Sequence, residues 1–342
     1  MVNNIHLTNF RNFDKRTIEF GEGINVINAP NAQGKTNILE AIFFLSTGKS
    51  FKAKVESDAI NYDYDIARIK GNDLEIVLTR GLIDIGKPIK EKVAKKKLMV
   101  NGVPKRLIDF AGNIKVTLFS PQDLDLVTGS PSLRRNFLDM VLSQSDREYR
   151  RAIGSYEKGV RQRNKLLWKI REEGLSRSHL LFWNQLLIKN GNYITKRRLE
   201  LIEFINSLKK CHLEYDSSVI SEGRLEQYKN EEVASATTLV GPHRDDFVFL
   251  QKKRDLASYG SRGQQRMQVL YLKIAELKYI EEKTSVKPIL LLDDIFSELD
   301  HKHREIVMNS FNNHQVIITS ADEHNLPNVN LSSIKIINLE YA

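Results

Sequence analysis

The sequence predicts an α/β fold: a phosphate-binding loop on a mixed sheet with an antiparallel β wing, interrupted by a mostly helical insertion. Three stretches predict it. Ala29-Pro30-Asn31-Ala32-Gln33-Gly34-Lys35-Thr36-Asn37 lies between a short apolar run and an apolar helical segment. Ile289-Leu290-Leu291-Leu292-Asp293-Asp294 is an apolar run that ends in paired acids. From about Ser132 to Leu213 the apolar residues recur at three- and four-residue intervals. The expected layout is a discontinuous head at 1–125 and 236–342 around a helical subdomain at 126–235.

A chain of 342 residues exceeds what one core usually serves, so two units or a domain with an insertion is expected. With 41% hydrophobic and 28% charged residues the composition is that of a globular protein, not a disordered one. The net charge of +9 suggests a polyanionic partner, nucleic acid or an anionic surface, against the plainer reading of a lysine-rich solvated face. Cys211 is the only cysteine, which excludes an intrachain disulfide framework and a cysteine metal cluster. The N-terminus lacks a basic start followed by a long apolar core, and no run approaches a membrane span. A cytoplasmic, soluble protein with no membrane partner is expected.

Ile5-His6-Leu7-Thr8-Asn9-Phe10 alternates as a half-buried strand does, and Arg16-Thr17-Ile18-Glu19-Phe20 repeats the pattern. Arg11, just after the first, is read two ways: a contact to nucleotide phosphates or a surface ion pair. Gly23-Ile24-Asn25-Val26-Ile27 is a short buried strand that feeds the phosphate loop. There the amides of Asn31, Ala32, Gln33 and Gly34 can close on an anion, Lys35 puts a charge near the outer phosphates, and the Thr36 hydroxyl can ligate Mg²⁺. Asn37 continues into a helix whose N-terminus favours anions. Ala29 stands where the usual pattern has its first glycine, so either the turn is entered differently or strain is carried there.

Strand-like runs follow at 65–69, 74–79 and 97–100, the last entering an Asn101-Gly102 turn. The lysine-rich stretch 90–97 fits DNA phosphates or a solvated edge strand equally well. Gln122, after the apolar strand 114–119, is placed to contact Mg²⁺ or an attacking water.

In the helical middle, nine basic residues face two acidic ones between Arg147 and Arg171. Arg147, Arg150, Arg151, Lys158, Arg161 and Lys165 fall at helical spacing and would draw a positive stripe fit for a phosphate backbone, or simply an exposed bundle face. Trp168 and Trp183 carry no ligand-stacking reading on sequence alone. After a strand-like 236–240 comes Gly241-Pro242-His243-Arg244-Asp245-Asp246, whose adjacent His and acids do not suit one metal ion. Ser261-Arg262-Gly263-Gln264-Gln265 opens a helix and forms a second anion site with no lysine of its own. It suggests service to a nucleotide held by another subunit. Strand 289–293 delivers Asp293 for Mg²⁺, through its water shell, and Asp294 to orient and deprotonate an attacking water. Further strands are expected at 315–320 and 334–339.

With these motifs in order the chain resembles the ATP-binding-cassette heads of the SMC-like class and, more closely, the RecF family. Carrying that resemblance are Asn9-Phe10-Arg11-Asn12-Phe13, Gln33-Gly34-Lys35-Thr36-Asn37, 47–51, 131–139, 241–246, Gly263-Gln264-Gln265-Arg266 and 291–300. It implies an ABC-type ATPase head with ATP and Mg²⁺ as cofactors, weak ATP hydrolysis and an ATP-dependent homodimer. It also implies DNA binding at gaps or junctions and action with RecR, and indirectly RecO, in placing RecA. Ser261, Gly263 and Gln264 of one subunit would face the ATP on Lys35 of the other, with Asp300 near the shared seam. Arg11 becomes a phosphate contact, Gln122 takes the Gln-loop position, and the γ-phosphate switch falls after Ser320, at Asp322. Two other readings stand beside this one. A P-loop nuclease-associated ATPase of the overcoming-lysogenization type needs an acid-rich nuclease module, which is not expected after Ala342. A nucleotide-independent structural DNA-binding protein would follow if Ala29 disables the loop.

Overall fold

The computed structural model describes residues 1–83, 91–297, 304, 313–320 and 334–339. The chain divides into two compact units, Met1–Asp123 with Ile280–Ala342, and Leu124–Tyr279. The first opens with strands β1 (Asn4–Phe10) and β2 (Phe13–Glu19), an antiparallel pair that buries Ile5, Leu7, Phe10 and Ile18. Strand β3 (Ile24–Asn28) leads into the loop and helix α1 (Lys35–Thr47). Gly34 caps α1 in the left-handed conformation, and Gly48 ends it with its N–H on the Phe44 carbonyl at 2.8 Å. Eight consecutive positions of α1, Ile38 to Leu45, are buried and all but Glu40 are apolar, so the helix is enclosed on all sides and not merely laid on a surface. Strands β4 (Ile66–Gly71), β5 (Leu74–Thr79), the short pair β6 (Leu82–Ile83) and β7 (Glu91–Lys92), then β8 (Lys96–Val100) and β9 (Val103–Lys105) follow. Asn101 and Gly102 both take positive φ, 51° and 74°, which matches the right-handed twist of the β8–β9 hairpin. Apart from β6 and β7 these strands form the antiparallel wing, in the order β2-β1-β4-β5-β8-β9. Helix α2 (Leu107–Phe110) then precedes β10 (Val116–Phe119).

The second unit starts at α3 (Asp125–Thr128) and is dominated by α4 (Pro131–Ser145), α5 (Arg147–Glu173) and α6 (Leu181–Ser207). Asp146 caps α5 by accepting from the amides of Glu148 and Tyr149, and Gly174 ends it at φ 67°. Helices α5 and α6 pack closely because a Cβ on Gly159 would lie 2.7 Å from the Leu186 side chain. Strand β11 (Leu213–Asp216), helices α7 (Glu222–Gln227) and α8 (Lys229–Ser235), strands β12 (Asp246–Gln251) and β13 (Arg254–Asp255), and helices α9 (Leu256–Tyr259) and α10 (Arg262–Thr284) complete it. A buried polar lattice binds these pieces. Arg198 donates to Asp139 at 2.7 Å, to Asp245 at 2.9 Å and to the Pro242 carbonyl at 2.6 Å, while Arg163 pairs with Glu232 at 2.6 Å. Arg134 grips Asp246 through two bonds, 2.6 and 2.9 Å. The sequence reading returns the chain to the head at 236, whereas the contacts return it at Ile280, because these arginines hold 241–246 to α4 and α6. Residues 236–240 are not a strand either: the Thr238 amide and hydroxyl bond to Asn164, and its carbonyl accepts from His243, in place of ladder partners.

The chain re-enters the first unit with β14 (Ile289–Asp293), β15 (Val316–Ser320) and β16 (Ile334–Asn338). The second sheet runs β10-β14-β15-β3-β16 with every neighbouring pair parallel. All five residues of β14 and of β15 are buried, which explains the apolar runs Ile289–Leu292 and Val316–Ile318 ahead of their polar ends. Parallel strands deliver their C-terminal ends to one edge, so Asn28, Phe119, Asp293 and Ser320 finish side by side, in register with the start of the phosphate loop.

Candidate nucleotide and nucleic-acid sites

At that edge the Thr36 hydroxyl donates to Asp293 Oδ1 at 2.9 Å, across 257 residues of sequence. Thr319 donates to the same oxygen at 2.9 Å and accepts the Asp294 amide at 3.1 Å. Asp294 is exposed and sits at φ 49°, a left-handed backbone whose amide is held by the Thr319 hydroxyl. Lys35 is buried, and its ammonium donates to the carbonyls of Ala29 at 2.5 Å and Pro30 at 2.9 Å. An ammonium has three donors, so one remains for an anion. Burial lowers the proton affinity of Lys35, and Asp294 and then Asp293 restore part of it. Burial pushes the Asp293 carboxyl up, while the bonds from Thr36 and Thr319 pull it back.

The loop is shaped by Gly34, at φ 91°, where a Cβ would fall 2.6 Å from Asn12 Oδ1 and 2.7 Å from Phe13. Ala29 carries no positive φ; the left-handed residue is Ala32, at 68°. The turn is therefore entered differently, and the Ala29 amide points to the Ser320 carbonyl at 3.5 Å. Asn31 is exposed and Gln33 half-buried beside Ala32 in the same loop. Asn37 donates to Asn12 at 2.8 Å and accepts from Lys52 at 3.0 Å. Gln122 lies exposed on the 3₁₀ turn Pro121–Leu124, directly after β10 and so on the edge that carries Asp293.

Arg11 is engaged otherwise than as a free phosphate contact. Its guanidinium makes two bonds to Glu40, 2.8 and 2.6 Å, and a third to the Asp58 carbonyl at 2.8 Å. Glu40 is fully buried within α1 and also accepts from Ser50 at 2.5 Å. The Ser50 hydroxyl in turn receives the Lys52 and Ala53 amides. This chain of bonds sets Lys52 beside the loop, close enough to hold the Asp293 carboxyl down. Glu40, Lys52 and Thr319 are the residues that sequence reasoning missed. A carboxylate inside the apolar run 38–45 was the available signal for Glu40, since a buried acid needs a partner.

The donors present suit a nucleotide with Mg²⁺. Among the described residues no group of three His, Cys, Asp or Glu could hold a metal, so the ion would take Thr36 and Asp293 together with phosphate oxygens. Bound there it would neutralise phosphate charge.

In the second unit Ser261 and Gln264 form a reciprocal cap on α10: the Ser261 amide donates to Gln264 Oε1 at 2.9 Å, and the Gln264 amide to Ser261 Oγ at 3.3 Å. Gly263 differs from every constrained glycine of the chain. Its φ is not positive and a Cβ there would meet nothing within 4 Å, so the fold of this chain alone does not require it. Asp300 and Asp322 lie outside the described residues.

On α5 the buried face is Tyr149, Ala152, Tyr156, Gly159, Arg163 and Leu167. Lys158, Arg161, Lys165 and Lys169 stand opposite, exposed, with no ion pair among the described residues. Arg151 is exposed but held by Glu148 at 2.9 Å, and half-buried Arg150 donates to the Ser143 carbonyl. The positive stripe thus consists of Lys158, Arg161, Lys165 and Lys169, with Arg150 and Arg151 spent on the helix's own start. Among the described residues no helix is long and apolar enough to cross a membrane.

Residues 1–338 match the RecF/RecN/SMC N terminal domain. The chain is 36% identical to the DNA replication and repair protein RecF of Lachnoclostridium phytofermentans, over 93% of this chain and 92% of that one. It is 35% identical to RecF of Halothermothrix orenii, covering 98% and 96%. Among solved structures it resembles the recombination mediator protein RecF with ATP in the RecFOR pathway, at TM-score 0.82 and 32% identity, over 96% of this chain and 93% of that one. A second RecF structure, with the nucleotide given as ATPrS, has TM-score 0.84 and 31% identity over 99% and 96%. An SMC head bound to the C-winged helix domain of ScpA shares the fold at TM-score 0.50 and 14% identity, covering 100% of this chain and 94% of the SMC chain.

Proposed function

The chain belongs to the RecF family, an SMC-like class of ATPases, and from that premise we propose that it is an ATP-switched recombination mediator that closes as a homodimer on DNA. One observation carries the reading: Lys35, Thr36, Asp293 and Asp294, widely separated in sequence, converge at one edge of a parallel sheet. Lys35 grips the outer phosphates with its remaining donor, and the loop amides up to Gly34 cradle them. Thr36 and Asp293 fix the metal's place. Asp294 orients the attacking water and accepts its proton, and Gln122 helps position it from the neighbouring strand end. A carboxylate one methylene shorter than glutamate stands further from that water, in keeping with slow turnover.

On the solvent side of the phosphates this reading calls for a second copy. The Ser261 hydroxyl and the Gly263 amide of a second copy supply donors there, with Gln264 beside them holding the Ser261 amide, and the open space at Gly263 leaves room for that docking. Arg11 acts through Glu40 by setting the position of α1 and Lys52. The relaxed backbone at Ala29 removes the strain that favoured a nucleotide-independent protein. With RecR, and indirectly RecO, the closed dimer helps place RecA on gapped DNA in the cytoplasm, at the nucleoid. Fluorescence anisotropy of gapped DNA with ATP, ADP and no nucleotide tests the reading. Tight binding is expected only with ATP, and equal binding in all three conditions would contradict it.

A further inference from the structure

Helix α5 carries one large aromatic residue on its charged face. Trp168 is 47% exposed, and it continues the stripe Lys158, Arg161, Lys165 at the same three- and four-residue steps. At 100° per residue these four side chains project within one sector, opposite the buried Tyr156, Arg163 and Leu167. Burial of a tryptophan is worth a great deal to a fold, so an indole that leaves nearly half of its surface in water beside exposed cations has surface to offer a ligand. Tracks that follow a phosphate backbone with cations and stack bases on aromatic rings are the pattern of single-strand recognition. Duplex DNA offers phosphates to such a stripe but hides its base faces.

We infer that Trp168 is a base-stacking residue: Lys158, Arg161 and Lys165 hold the phosphate backbone, and the indole takes an unpaired base from a single-stranded segment. The inference rests on the DNA-binding reading and deepens it, because the stack distinguishes gapped from fully paired DNA. Lys169, next to Trp168 and also exposed, adds charge without competing for the ring.

The chain has two tryptophans, so each can be read separately. In Trp183→Phe, with ATP present, an oligonucleotide of unpaired bases should quench Trp168 emission, and a blunt duplex should not. In Trp168→Phe the remaining Trp183, half-buried against Phe182, should report no quenching. Trp168→Ala should weaken binding to gapped DNA about tenfold and leave duplex binding unchanged, with Trp168→Phe restoring most of the loss. Absence of quenching, or an equal loss on gapped and duplex DNA, overturns the inference. Arg161→Glu with Lys165→Glu separates the two readings. If that variant binds all DNA normally, the stripe is not a DNA surface and both fail; if it loses DNA while Trp168→Ala does not, only the stacking role fails.

Discussion

Lys35 and Asp293 work against the stability of the fold that holds them. Each is a charge buried at a sheet edge, and the proton affinity of each is moved by that burial toward the neutral form. For Asp293 the folded value lies above the unfolded one. Its favourable contribution is therefore full below the pKa of an unfolded aspartate and is lost as pH rises through the higher folded value. At neutral pH the ionised carboxylate is a net cost, retained for its site. Asp293→Asn should raise the Tm of the ligand-free protein by a few degrees, on the order of 1 kcal/mol, while abolishing Mg²⁺-dependent ATP binding. Calorimetry with and without MgATP reads both. Lys35→Ala should weaken ATP on the order of a hundredfold in equilibrium dialysis, because a desolvated charge partner is removed. Gly34→Ala meets both a left-handed φ and the Asn12 and Phe13 side chains, and should cost about 1–3 kcal/mol in urea unfolding.

Among the elements, those built from contiguous sequence were legible. The phosphate loop, the apolar run of β14 with its acids, and the Asn101-Gly102 hairpin each carry their own local chemistry, and each lies where the pattern put it. Side-chain partners across long separations were not. Arg11 read equally as a phosphate contact or an ion pair, and only the resemblance favoured the phosphate, because nothing near it in sequence marks Glu40, 29 residues on inside an apolar helix, as a partner. Similarly, the acids of 241–246 do not suit a metal ion on sequence alone, but nothing local shows what they do instead: they are the acceptors of a buried arginine lattice. The basic run on α5 was legible as a stripe, and Lys158, Arg161 and Lys165 do stand exposed on one side, but the local partners were not legible: Arg151 serves Glu148, and Arg150 the Ser143 carbonyl. Arg198 is 1% exposed and satisfies Asp139 and Asp245 at once. Arg198→Met leaves both carboxylates without their cation and should destabilise by about 3–5 kcal/mol in urea titration.

For the whole molecule, the phosphate loop belongs to one compact unit and the Ser261–Gln264 cap to the other. What sequence could not place was the boundary, since 236–279 is tied to the helices by side chains whose partners lie a hundred residues upstream. The cap's two halves satisfy each other, and Gly263 between them fronts open space. Gly154 and Gly223 meet the same open space, so it is the place of Gly263 inside a helix-terminal cap that the proposed pairing uses, and the space means only that the subunit tolerates a side chain there. A side chain at position 263 should therefore leave the subunit intact and spoil only its pairing. Sedimentation velocity of wild type and Gly263→Val, each with ATP, ADP and no nucleotide, tests this directly. The account predicts a wild-type dimer with ATP alone and a Gly263→Val protein that binds ATP with unchanged Tm but stays monomeric. A Gly263→Val dimer formed with ATP as readily as wild type would contradict it.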